Sequence, residues 1–125
     1  MIDTHCHIDD PQYTEGLDAF LAEQRQDGVE AILVPGVDKT SVKDVLEVCN
    51  LYPDYLFPAL GLHPENVKED WREQLATIKA AVDKSLASTP YTLHPTLRHS
   101  RLIAIGEIGL DYHWDTSFKE QQHEA

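Results

Sequence analysis

The chain has 125 residues, a formal net charge of −12, 42% hydrophobic and 26% charged residues. Such a length suits one domain with a core of its own. No apolar run approaches the roughly 20 residues of a membrane helix, and the acidic balance argues against a surface that grips phosphates through Lys and Arg, although an active site can carry its positive charge as metal ions. Asp3 and His5 occupy positions where a signal peptide would be basic or apolar, so a cytoplasmic protein is expected. Cys6 and Cys49 do not make a disulfide framework and read as structural thiols.

The opening stretch, Ile2-Asp3-Thr4-His5-Cys6-His7-Ile8-Asp9, reads as a strand. Side chains at i and i+2 of a strand share a face, so His5 and His7 address one point while Cys6 faces away. Two neutral imidazoles on one wall suit zinc, manganese or another divalent ion. Asp9-Asp10-Pro11 breaks the extended run, Thr14 offers a cap, and Leu17, Phe20 and Leu21 give residues 15–27 the apolar stripe of a first helix closed by Gly28. Residues 29–34 (VEAILV) form a strand buried on both faces and stopped by Pro35-Gly36. Thr40 or Ser41 caps a second helix carrying Val42, Val45, Leu46 and Cys49, ended by Pro53.

Residues 56–62 are expected to form a third strand, interrupted by Pro58, that ends in His63-Pro64. A third helix follows with Trp71, Leu75, Ile78 and Val82 on one face. Residues 85–100 contain two prolines, His94 and no sustained period, and read as a loop insertion. Residues 101–110 (RLIAIGEIGL) are expected to be a fourth buried strand, and Phe118 opens a further helix.

Strands alternating with helices at about 30 residues per unit point to an α/β protein with a parallel sheet. Two closures fit: a small doubly wound sheet, or half of an eight-stranded barrel. No glycine-rich phosphate fingerprint follows strand one, which disfavours the first. In either closure the site lies at the carboxyl ends of the strands. Strand one ends in His5 and His7, strand three in His63, and strand four in Glu107 and Asp111. Singly each residue has a structural explanation: Glu107 paired with Arg101, His63 capping a helix, Asp111 shaping a turn. Jointly they favour a metal centre in which a carboxylate can bridge two cations.

The motifs DTHCHID (residues 3–9), LGLHP (60–64) and IGEIGLDY (105–112) resemble the first three signatures of the TatD family of metal-dependent deoxyribonucleases, and Phe118 with Gln121 and Gln122 resembles the helix that follows them. The resemblance implies a TIM-type (β/α)8 barrel of the amidohydrolase-like kind, two divalent ions (Mg, Mn or Zn), and hydrolysis of DNA phosphodiester bonds, often from a 3′ end. It implies that His5 and His7 hold one ion, that Glu107 bridges both, and that His63 and Asp111 line the substrate side. The family's further ligands, two histidines from strands five and six and an aspartate from strand eight, have no counterpart in the 125 residues, and without that aspartate no general base is evident. A single partial domain is therefore expected, equivalent to the first four βα units, doubtful in catalysis alone and prone to self-association through its open sheet edges. Two other readings remain open: a hydrolase of another ester or amide, and a non-catalytic half-barrel that functions only by assembly.

Overall fold

The computed structural model describes residues 1–13, 15–87 and 102–125. Its elements run β1 (Ile2–Asp3), α1 (Leu17–Gln26), β2 (Ala31–Pro35), α2 (Ser41–Leu51), β3 (Leu56–Leu60), α3 (Trp71–Ala87), β4 (Ala104–Ile105) and α4 (Lys119–Glu124), with short 3₁₀ turns at Pro11–Tyr13 and Pro64–Asn66. The four strands are parallel and pair in the order β1-β2-β3-β4. Together they form a curled half-barrel, with β2, β3 and β4 each following a helix that returns the chain to the same end of the sheet.

The core lies where the aliphatic runs meet the helices. Ile32 and Val34 of β2 and Leu56 and Leu60 of β3 are buried against Leu21 of α1 and Val45 and Cys49 of α2. Full burial of one such aliphatic side chain contributes about 1.5–3 kcal/mol, so the two central strands with α1 and α2 carry most of the stability. Burial pushes the Cys49 thiol up to about 12, with Asp9 adding to the effect, which leaves it inert.

Several boundaries differ from expectation. β1 pairs only over Ile2–Asp3, because the Asp3 side chain accepts the His5 N–H at 3.0 Å and interrupts the ladder; contact with β2 resumes at Cys6, whose N–H reaches Leu33 O at 3.2 Å. The start of α1 falls to Gly16 in a left-handed conformation (φ 91°), Thr14 lying outside the described residues, and Gly28 closes the helix with φ 84°. Neither Thr40 nor Ser41 caps α2 with its side chain. The cap comes from upstream, where Asp38 Oδ1 accepts the N–H groups of Thr40 and Ser41, each at 2.8 Å. Pro58 sits where the pairing of β3 with β4 starts: its carbonyl accepts the Ile103 N–H at 3.2 Å, and the residue partners begin at Ala59, so only its missing N–H is lost to the ladder. Ser85, Leu86 and Ala87, expected to open a loop, extend α3; the remainder of that expected insertion, with His94 and His99, lies outside the described residues.

The largest correction concerns β4. Expected as a long buried strand, it is ordered into the sheet over two residues, and Ile103, Ile105, Ile108 and Leu110 are each more than half exposed. The reason is its place at the sheet edge. Among the described residues it has β3 on one side only, so its apolar residues lack the cover that residues of β2 and β3 enjoy.

Candidate metal centre

Each strand's carboxyl end delivers one part of the site. After β1 come His5 and His7, after β2 Gly36, after β3 Gly61 and His63, and after β4 Glu107. In a flat sheet β1 and β4 would stand three strand spacings apart, roughly 14 Å. Glu107 crosses that gap because its backbone leans over the sheet ends: the Gly106 N–H bonds to Leu60 O at 3.1 Å, and the Glu107 N–H reaches past β3 to Gly36 O at 2.8 Å. The Gly106–Glu107 peptide is cis.

The outcome is convergence. His5 Nε2 and His7 Nε2 lie 3.1 Å apart, Glu107 Oε1 is 3.6 Å from His5 Nε2, and Glu107 Oε2 is 3.4 Å from His7 Nε2. Ligand atoms of these three residues all fall within 4.8 Å of one another, and among the described residues they form the one group of three or more His, Cys, Asp or Glu side chains that does so. Donors bound to one ion at about 2.0–2.2 Å stand about 3.3–3.6 Å apart in a tetrahedron and about 2.8–3.1 Å apart along an octahedral edge. The observed separations span those values. Two neutral imidazoles and a carboxylate are also the donor chemistry that suits zinc, manganese and similar divalent ions. The residues present therefore fit a metal ion.

The site is open on one side. His5 is 54% exposed, His7 40% and Glu107 26%, so Glu107 is less buried than a place inside an apolar strand had suggested. His63 stands beside the cluster, its Nε2 3.8 Å from Glu107 Oε1. Its Nδ1 accepts the Glu65 N–H at 3.2 Å, which makes the neutral ring carry its proton on Nε2, toward Glu107. Capping a turn and facing the site are thus one role for His63. Asp111 is not brought into the cluster: its carboxylate accepts the His113 N–H at 2.7 Å in a turn, and its own N–H is held by Gln122 Oε1. Cys6 points away and packs against the core, where burial, followed by the charges of Asp3 and Asp9, raises its thiol.

Residue type does not reveal Gly36 and Gly61. Gly36 gives its carbonyl to Glu107 and its flanking Val37 O accepts the His63 N–H at 2.8 Å. Their signal is only positional, a glycine directly after a strand.

A family model described as TatD related DNase matches residues 2–125. The uncharacterized metal-dependent hydrolase YabD of Bacillus subtilis is 34% identical over 125 residues, covering all of this chain and 43% of that protein. The 3′-5′ ssDNA/RNA exonuclease TatD of Erwinia tasmaniensis is 28% identical over 122 residues, covering 98% of this chain and 41% of that protein. Among solved structures, the TatD homologue YJJV of Escherichia coli superposes with a TM-score of 0.78 at 31% identity, over 99% of this chain and 42% of that one. The chain spans less than half the length of these relatives, and its architecture is that of about four βα units of a TIM-type barrel.

Proposed function

The chain belongs to the TatD-related DNase family, and on that premise we propose that His5, His7 and Glu107 are the metal ligands of a metal-dependent hydrolase that cleaves DNA phosphodiester bonds, acting from the 3′ end. The observation that carries the reading is the convergence of these three side chains from opposite edges of the sheet. That the Erwinia tasmaniensis relative is a 3′-5′ ssDNA/RNA exonuclease by name supports a nucleic-acid substrate. In the whole protein His5, His7 and Glu107 would contribute to holding two divalent ions.

A divalent ion held here supplies a Lewis acid for a phosphoryl oxygen and lowers the pKa of water toward neutrality. His5 and His7 present neutral imidazoles from one wall, and Glu107 brings the negative charge that offsets the ion's own. His63, with its proton on Nε2, faces Glu107 and is placed to donate to a phosphoryl oxygen, orienting the substrate. Asp111 lines the substrate side through the turn that it shapes. Among the described residues, none is placed as a general base.

The test is stepwise shortening of a 5′-labelled single-stranded oligonucleotide in Mn²⁺, by this chain alone and mixed with the carboxyl-terminal remainder of YJJV. Shortening by the mixture, abolished in Glu107→Ala, is the expected result. Hydrolysis of p-nitrophenyl esters without cleavage of DNA would overturn the substrate assignment, and cleavage undiminished by Glu107→Ala would overturn the role of that carboxylate.

A further inference from the structure

We propose that Gly61 is a positioning residue for Glu107, acting by the absence of a side chain; the inference rests on the metal-centre reading above. A Cβ built on Gly61 would stand 2.5 Å from Glu107 O, 2.6 Å from Gly106 C and 2.9 Å from Glu107 N. Ordinary contact between such atoms is about 3.5 Å or more. All three atoms are backbone, so no rotamer change relieves the overlap. The Gly106–Glu107 peptide must then retreat by about 0.5–1 Å, whereas metal–ligand bonds tolerate about 0.2 Å.

The retreat also has a direction. Gly61 lies under the point where Glu107 leans across β3 toward Gly36, and the 2.8 Å bond from Glu107 N–H to Gly36 O spans that same crossing. A side chain at position 61 lifts the crossing and takes the carboxylate away from His5 and His7. Gly61 does not have a left-handed φ, unlike Gly16, Gly28 and Gly109, so alanine meets no backbone strain of its own and the contact is the whole effect. The neighbouring glycine provides the contrast, since a Cβ on Gly106 meets nothing within 4 Å.

The experiment is Co²⁺ titration of this chain, read by the visible absorption of the bound ion, with Gly61→Ala, Gly106→Ala, Glu107→Gln and Val45→Ala compared. Val45→Ala loosens the core at α2 and controls for a merely structural loss. Gly61→Ala is expected to bind Co²⁺ about 10–100-fold more weakly and to give the spectrum of Glu107→Gln, while Gly106→Ala and Val45→Ala keep the spectrum of the unmodified chain. Unchanged affinity and spectrum in Gly61→Ala, with Glu107→Gln weakened, would overturn the role of Gly61 and leave the metal centre standing. No Co²⁺ binding by the unmodified chain would overturn the metal centre and this inference with it. If the Gly61→Ala substitution prevents folding, the unmodified chain decides: a nuclear Overhauser contact between Gly61 Hα and the Glu107 amide proton is expected, and its absence would refute the close approach.

Discussion

Asp38 carries out at its carboxylate what either Thr40 or Ser41 was expected to do. It accepts the Thr40 and Ser41 N–H groups and the Thr40 hydroxyl, the last at 2.7 Å. Burial alone would raise its carboxyl, but these hydrogen bonds outweigh it and hold the group below its ordinary value of 3.8. Asp38→Ala should lower stability by about 1 kcal/mol at pH 7, measured by urea unfolding. A lowered native pKa means that this stabilisation is complete above 3.8 and disappears as the pH falls through the native value, so the two proteins should converge in acid. A gap that widens in acid would contradict the assignment. The same scale shows what a sequence can reveal. His5, His7, His63 and Glu107 are legible because chemistry-bearing residue types stand at strand ends. Gly36, Gly61 and Asp38 are not, because a missing side chain, a carbonyl or an upstream cap acquires its role only through a three-dimensional approach.

Among the elements, α4 is held to the body of the protein by Gln122, which is 6% exposed. Its Nε2 donates to Pro64 O at 3.1 Å and its Oε1 accepts the Asp111 N–H at 2.9 Å. One side chain thus ties the segment after β4 to the turn beside His63. Gln122→Ala removes both bonds; Pro64 O keeps the Val67 N–H at 3.2 Å, but the Asp111 N–H loses its partner, which should cost about 1–3 kcal/mol, with faster hydrogen exchange at the Asp111 amide; stability within error of the unmodified chain would count against the tie. Lys68 adds a second link, an ion pair to Asp115 at 2.9 Å. The Ser117 N–H, then Lys68, hold the Asp115 carboxyl down at about 2, so this link should persist until the pH falls through that value. Periodicity made α1, α2 and α3 readable, since each must present an apolar stripe to the sheet. The same logic overextended β4, because an aliphatic run reports an appetite for burial and not whether a neighbouring strand is there to provide it.

At the scale of the whole molecule, the sheet formed by the described residues has two edges. β1 shows Ile2 at 63% exposure, and the β4 edge shows Ile103 and Ile105 at 59% and 57%. Unpaired edges with exposed aliphatic residues favour association, so the chain should elute from size exclusion as a dimer or larger species. The double substitution Ile103→Lys with Ile105→Lys should shift it toward monomer, and an unmodified chain that is monomeric at all concentrations would contradict this. The parallel α/β order and the gathering of site residues at one end follow from the alternation of elements alone. The curl that brings β1 and β4 residues together does not, because it depends on hydrogen bonds between strand ends far apart in sequence. The shared metal site depends on that curl, and calorimetric titration with Mn²⁺ probes it. Saturable binding is expected, weakened at least about tenfold in both His7→Ala and Glu107→Ala, residues from opposite edges. Equal affinity in all three proteins, or loss in only one variant, would show that these residues do not share an ion.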